Sequence, residues 1–253
     1  MREWEENITC NYCGSREKRL YLLNPRKNWY GKPLRLVECV KCHLVYADPR
    51  PTFKSILPAY QSSDWAKEIT LRKLKRPQVN LIHRQIVLDA MHFHSDPKNL
   101  FDVGFGAGTV MMEARKLGLE AEGNEINHYA IELMRKHDFT VYESPTHELK
   151  LEEKYDIMTA LDYVEHSMVP FTDLKWMSNH LNPQGVLYLK TLYLGCPNHK
   201  RMGDDWNLFE KGHFHYFYPN VLRNMLHDAG FKILEQRLTE AIIHIVARKV
   251  RSI

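Results

Sequence analysis

The chain has 253 residues, of which 44% are hydrophobic and 26% charged, an ordinary balance for a globular protein with one large domain or a core domain and a small appendage. No apolar run approaches the length of a membrane span. The N-terminus, Met1-Arg-Glu-Trp-Glu-Glu-Asn7, lacks the apolar core of a secretion signal, so the expected location is the cytoplasm. The net charge of +4 is uneven: residues 1–50 carry a balance of +4, residues 65–84 of +5 and residues 85–253 of −5. The basic half could meet an anionic small molecule or a nucleic acid, or could be a solvated face. Arg72-Lys-Leu-Lys-Arg76 alone is too short to argue for nucleic acid.

In chain order, the first feature is a pair of Cys-x-x-Cys knuckles, Cys10-Asn-Tyr-Cys13 and Cys39-Val-Lys-Cys42. Each knuckle brings two thiolates within reach of one tetrahedral ion, and two together make a closed, structural Cys₄ zinc site. A segment of fifty residues buries little core, so a metal crosslink would supply stability there. The residues between the knuckles can form a hairpin or loop. Disulfides are the competing reading, disfavoured because nothing points to export. His43 reads as a surface residue and Cys196 as a packed or loop thiol. Residues 53–94 read as helical, interrupted by Pro58 and Pro77, and form either a lid or a packing segment joining two lobes.

From Asn99 the pattern alternates. Strands are expected at Leu100–Val103, Leu119–Gly123, Thr140–Tyr142, Asp156–Leu161 and Val186–Leu192. Helices are expected at Thr109–Leu117, His128–His137, Phe171–Leu181 and Pro219–Ala229, the last stopped by Gly230. Phe231–Leu238 and Ala241–Arg248 are joined by two residues, which implies an antiparallel hairpin. Alternating strands and helices imply an α/β fold with a parallel sheet. The expected organisation is a zinc-binding segment over 1–52, a helical linker or lid over 53–97 and a nucleotide-binding α/β domain over 98–253.

The strand and helix around Leu100-Phe-Asp-Val-Gly-Phe-Gly-Ala-Gly108 enclose a tight glycine turn, which brings bare backbone and a helix N-terminus to a ligand. Glu125, at the tip of the next strand, suits a ribose diol. The dinucleotide fingerprint fails because Thr109 stands at its third glycine position, so a nicotinamide site is the weaker alternative. The pattern Asp-x-Gly-x-Gly-x-Gly instead resembles class I S-adenosylmethionine (SAM) methyltransferases. Gly123-Asn-Glu-Ile-Asn127, Tyr155-Asp-Ile-Met-Thr-Ala-Leu-Asp-Tyr-Val-Glu-His166 and Leu181-Asn-Pro-Gln-Gly-Val-Leu-Tyr-Leu189 resemble three further motifs of that family, with Gln184 where a glycine is usual. The likeness runs over residues 98–248. The N-terminal segment is similar to the zinc-binding lobe of methyltransferases that act on sugars and other small molecules, with His43 in place of a glycine, Tyr46-Ala-Asp-Pro-Arg-Pro51 after it and Tyr60 near the place of a family tyrosine.

The resemblance implies a Rossmann-like methyltransferase sheet with a terminal antiparallel strand. It also implies that Asp102, Gly104, Phe105, Gly106, Gly108, Glu125, Ile126, Leu161 and Asp162 hold SAM. Asp102 would take the amino end, Glu125 the ribose, the Tyr142–Ser144 loop the adenine, and Leu161 and Asp162 the methionine part. A neutral acceptor must lose a proton as it attacks, and the candidate bases are His166, after Glu165, and His213, in Glu210-Lys-Gly-His-Phe-His-Tyr-Phe-Tyr218. Both could instead be cap or packing residues. The sugar C-methyltransferases of the group carry a Glu before the second histidine; Gly212 stands there, which points toward oxygen or nitrogen. The Tyr193–Phe209 insertion would help enclose the acceptor, and His199, Lys200 and Arg201 could grip a phosphate or lie in a solvated loop. The expectation is methyl transfer to a small acceptor, a sugar, nucleotide-sugar or related metabolite. The alternatives are an RNA methyltransferase and a non-catalytic SAM-binding regulatory protein.

Overall fold

The computed structural model describes residues 3–250. The first five strands are β1 (Trp4–Glu5), β2 (Lys18–Trp29), β3 (Lys32–Cys39), β4 (Val45–Ala47) and β5 (Arg50–Pro51). Three helices follow, α1 (Phe53–Ser62), α2 (Asp64–Leu74) and α3 (Pro77–His92). The alternating part runs β6 (Asn99–Val103), α4 (Thr109–Lys116), β7 (Glu120–Glu125), α5 (His128–Lys136), β8 (Val141–Glu143), β9 (Tyr155–Leu161), α6 (Pro170–His180) and β10 (Leu181–Leu192). It closes with α7 (Pro197–Met202), β11 (His215–Tyr216), α8 (Pro219–Asp228), β12 (Phe231–Leu238) and β13 (Ile242–Lys249). Among the described residues, no helix is long and apolar enough to cross a membrane.

Seven strands form the main sheet in the order β12-β13-β10-β9-β6-β7-β8. The run from β10 to β8 is parallel, and β13 is antiparallel to both of its neighbours, as the two-residue link predicts. The strand order reverses between β6 and β9, so the loops after β6, β7 and β9 leave a crevice at the carboxyl edge, where open α/β sheets bind ligands. Strand β10 begins at Leu181, earlier than the sequence predicts, because a bulge between Leu181 and Val186 carries the turn into the sheet. Gln184 in that turn has φ +67°, the left-handed backbone for which a glycine is the usual choice.

The segment between the cysteine pairs is the β2–β3 hairpin, turning at Tyr30 and Gly31. A four-stranded sheet has the order β11-β4-β3-β2. Its edge strand comes from the far end of the chain: His215 pairs with Tyr46 and Tyr216 with Val45. One buried cluster runs without a break from Cys10, Trp29 and Tyr46 to Trp206, Phe214 and Phe231. The ring of Trp29 lies 5.6 Å from that of Phe214, edge to face. The zinc-type segment and the α/β part therefore share a core.

The helical segment is as predicted except at Pro58, which lies inside α1 and does not break it. The break falls at Ser63, whose extended backbone ends α1 and whose Oγ accepts from Ala66 N at 3.1 Å, capping α2. Pro77 opens α3 at its first turn, where a missing N–H costs nothing.

Candidate functional site

The four cysteines converge. Cys10 Sγ lies 3.4 Å from Cys42 Sγ, Cys13 Sγ lies 3.5 Å from Cys39 Sγ, and all four sulfurs fall within 4.8 Å of one another. A tetrahedral zinc with Zn–S bonds of about 2.3 Å sets its sulfurs about 3.8 Å apart, so this donor set fits the ion. All four cysteines, and Cys196, are free thiols. His43 is half-exposed with φ +62° and holds Glu38 Oε1 at 2.7 Å, a surface position whose backbone explains why a glycine is usual there. Cys196 is buried and accepts from His199 N at the start of α7.

A cavity of about 540 Å³ lies at the carboxyl edge of the main sheet. Its lining includes Gly104, Gly106, Glu125, Ile126, Leu161 and Asp162, which come from the loops after β6, β7 and β9. Gly104 has φ +65°, and a Cβ there would lie 2.6 Å from Tyr163 Cδ2, so only glycine lets the loop pass. The Glu125 carboxylate accepts three backbone N–H bonds: Gly106 at 2.9 Å, Ile126 at 2.7 Å and Asn127 at 3.1 Å. These hold it at the rim of the glycine loop. Asn127 caps α5 with Oδ1, while its Nδ2 donates to Ala66 O and Thr70 Oγ1 on α2. Asn124, also lining the cavity, has a buried Oδ1 without a partner among the described residues. An N–H from a ligand would satisfy it, and a nucleoside base offers one. These groups fit an adenosine-type cofactor.

The remaining predicted cofactor residues lie behind the cavity. Asp102 is 3% exposed on β6 and accepts from Thr159 Oγ1 at 2.6 Å, in register with it across β9. The ring of Phe105 points into a cluster with Met111, Ile131 and Met134. At Gly108, φ is +70° and a Cβ would collide with Met134 Sδ, so this turn requires a glycine. Asp162, at φ +53°, pairs with Lys190 Nζ at 2.7 Å.

The candidate bases meet. The rings of His166 and His213 stand edge to face with centroids 4.6 Å apart. His166 lines the cavity; His213 is 5% exposed and sits behind it. His166 Nδ1 lies 2.8 Å from Gly212 O, and His213 Nδ1 lies 2.8 Å from Leu208 O. A carbonyl only accepts, so both imidazoles carry a proton on Nδ1, and in the neutral form each has its lone pair on Nε2. Burial and the neighbouring imidazole hold His213 below the usual histidine range. Beside them lies Glu165, 2% exposed, whose Oε2 accepts from Thr191 Oγ1 at 2.7 Å. Burial, then the charge of Asp162, pushes its carboxyl up to about 7. A Cβ at Gly212 would lie 2.7 Å from Tyr60 Oη, so no side chain fits where the C-methyltransferases carry their Glu; Glu210 Oε1 instead lies 3.4 Å from His213 Nε2.

Phe53, Ile56, Tyr60, Trp65 and Arg72 bring α1 and α2 to the wall, and Lys211 faces the same space. The family likeness singles out Tyr60, and the charge pattern the basic run that begins at Arg72; nothing in the local pattern marks Phe53, Ile56, Trp65 or Lys211. Glu165 was legible within the Glu-His pair at the end of β9. Asp173, buried on α6, accepts from Tyr163 Oη at 3.0 Å and from Ser167 Oγ, and holds His147 Nδ1 at 3.0 Å. The Tyr193–Phe209 insertion and His199, Lys200 and Arg201 are not among the cavity-lining residues; Arg201 pairs with Glu240 at 2.8 Å on the surface.

A family model described as a methyltransferase domain matches residues 75–236. Among solved structures, 1,6-didemethyltoxoflavin-N1-methyltransferase of Burkholderia thailandensis, with its substrate and S-adenosylhomocysteine bound, is 15% identical; the match covers 84% of this chain and 98% of that one at a TM-score of 0.61. The N-methyltransferase NodS of Bradyrhizobium japonicum, in complex with S-adenosylhomocysteine, is 13% identical over 77% of this chain and 97% of that one, with a TM-score of 0.56. The CcbJ methyltransferase of Streptomyces caelestis is 15% identical over 67% and 90%, with a TM-score of 0.55. At these identities the likeness establishes the fold.

Proposed function

The chain belongs to the SAM-dependent methyltransferase family, and from that premise we propose that it methylates an oxygen or nitrogen of a small, anionic acceptor such as a sugar phosphate or nucleotide-sugar. The observation that carries this reading is that one cavity is lined both by the glycine loop with Glu125 and by His166 beside aromatic and cationic groups. Gly104, Gly106, Glu125, Ile126, Leu161 and Asp162 hold the cofactor, and Asn124 reads its base. Asp102, Phe105 and Gly108 support the loop from behind. Bound there, SAM supplies an activated methyl group, so the protein has only to orient the acceptor in line, exclude water and remove a proton.

Trp65, Tyr60 and Phe214 offer flat apolar surface, and Arg72 and Lys211 offer positive charge in the same wall. That combination suits an acceptor with a ring and a phosphate or carboxylate. The proton is taken up at the Glu165–His166–His213 cluster, with His166 as its cavity-lining member. His213 positions His166 and is not itself the contact. The exclusion of a side chain at Gly212 supports oxygen or nitrogen over carbon as the methylated atom. The Cys₄ site is structural zinc, since four thiolates leave no open position.

The test is a screen of sugar phosphates, nucleotide-sugars and small carboxylates with SAM, read as S-adenosylhomocysteine release and a 14-dalton mass gain on the acceptor, an increment set by the methyl group alone. Turnover confined to uncharged acceptors would refute the role of Arg72 and Lys211. Failure of the folded, zinc-replete protein to bind S-adenosylhomocysteine would refute the cofactor assignment.

A further inference from the structure

Three ligand atoms, one each from Glu165, His166 and His213, lie within 4.8 Å of one another beside the cavity, an arrangement shared in this chain only by the cysteine cluster among the described residues. They come from separate parts of the chain: Glu165 and His166 from the loop after β9, and His213 from the loop that leads into β11. Each is held from its far side. The Nδ1 atoms of both histidines are fixed by carbonyl oxygens at 2.8 Å, and Glu165 Oε2 by the Thr191 hydroxyl at 2.7 Å. Backbone bonds from Phe214 N and His215 N to Glu165 O, at 2.8 and 3.2 Å, tie the two loops together. This is how metal-binding imidazoles and carboxylates are oriented: an outer partner on one atom fixes the tautomer and turns the other toward the ion.

We propose that Glu165, His166 and His213 form a second metal site, distinct from the cysteines, that takes a divalent first-row transition ion at the acceptor end of the reaction. Two imidazole nitrogens and one carboxylate oxygen suit such an ion and leave open positions for water or substrate. Bonds of about 2.1 Å set neighbouring ligand atoms about 3–3.5 Å apart, so a closure of about an ångström completes the triad. Glu210, 3.4 Å from His213 Nε2 and half-exposed, is placed to follow the ion. The buried carboxylate also gains a reason to sit beside two imidazoles with no ion pair to a lysine or arginine among the described residues.

This rests on the methyltransferase reading above and changes one part of it: the trio activates the acceptor as ligands of an ion, in place of taking up its proton. A hydroxyl of the acceptor binds an open position and loses its proton to solvent. Its oxygen then attacks the methyl carbon, and the new O–C bond forms as the S–C bond breaks with its electron pair going to sulfur. The ion keeps its charge and oxidation state throughout. An acceptor with two adjacent oxygens, such as a vicinal diol or an α-hydroxy acid, would chelate best.

The test uses full-length protein with its cysteine site filled by zinc, freed of weaker-held metal by a mild chelator and titrated with Co²⁺ under visible absorption. A nitrogen–oxygen site gives weak d–d bands without the sulfur-to-cobalt band that exchange into the cysteines would produce. The expected result is one equivalent bound, weakened at least about tenfold in His166→Ala and in Glu165→Gln. S-adenosylhomocysteine binding, followed in parallel by calorimetry, reports the fold of each variant. His166, the half-buried member, is read first, and His166→Gln replaces any variant that fails that control. No Co²⁺ binding, or binding unchanged in the variants, overturns the metal site while cofactor binding leaves the methyltransferase reading intact. Co²⁺ binding that the variants abolish, in a protein that ignores S-adenosylhomocysteine, upholds the metal site and overturns the cofactor assignment.

Discussion

Replacing Glu125 by alanine should separate cofactor affinity from stability. In the free protein its carboxylate accepts from Gly106, Ile126 and Asn127 N–H groups at 2.7–3.1 Å. It is therefore already in place, and the entropy of ordering it is not charged to binding. A ribose diol adds two charge-assisted bonds. Each is worth about 1.5–3 kcal/mol, and each replaces a bond to water on the hydroxyl, so a net loss of roughly 2–4 kcal/mol is expected on truncation. That corresponds to about 30- to 700-fold in Kd for S-adenosylhomocysteine. The three stranded N–H groups border the cavity, where water can reach them, so unfolding stability should fall by only about 1–2 kcal/mol. Glu125→Gln keeps one acceptor oxygen without charge and should lose about half as much binding energy as alanine. Titration calorimetry on zinc-replete protein gives the affinities, and urea denaturation gives the stabilities. A Kd for Glu125→Ala within threefold of wild type, in folded protein, would show that this carboxylate braces the loop and does not hold the ribose.

Four further outcomes are expected. Gly108→Ala combines a left-handed backbone with a Cβ 2.1 Å from Met134 Sδ, and should cost about 2–4 kcal/mol in denaturant titration. Arg72→Ala should raise KM for an anionic acceptor several-fold at little change in kcat; an equal loss for a neutral acceptor would rule out charge recognition. A strong chelator, or Cys39→Ser, should release zinc and lower the melting temperature, with wild type rescued by added zinc and Cys39→Ser not. His147 is held above the usual histidine range, first by its bond to Asp173, with Glu148 also near and desolvation opposing. Its folded pKa exceeds the unfolded one, so its contribution is fully present below about pH 6.5 and is lost as pH rises through the folded value. His147→Gln should flatten the pH dependence of the melting temperature above pH 6; an unchanged slope would remove the assignment.

Local chemistry decided what was legible. The strands and helices from Asn99 onward, other than α7 and β11, follow from apolar periodicity and cap residues, and the boundaries that moved did so by a residue or two, except at the bulge in β10. The cysteine spacing carried its own geometry. Asp102 and Gly108 carry contacts that the motif does not foretell, a buried hydrogen bond from Thr159 and close packing by Met134. A motif fixes which residue types recur, and does not say which side of a loop they face. Trp65 and Lys211 were illegible as lining residues because they reach the cavity through tertiary placement of α2 and of the loop before β11. Pro58 was misjudged as a breaker because a helix held by its packing face tolerates one lost backbone bond.

The pairing of β4 with β11 also sets an order of events during synthesis. The cysteine segment is made before the α/β part, and all four of its thiols precede β4. Its sheet nonetheless keeps an open edge until a strand about 170 residues further on arrives, and an open edge is a template for wrong partners. Until then the ribbon lacks one strand. The strand that finally pairs with it begins two residues after His213. Closing that edge and bringing His213 to Glu165 and His166 thus wait for the same late segment, and a product truncated before it would have neither.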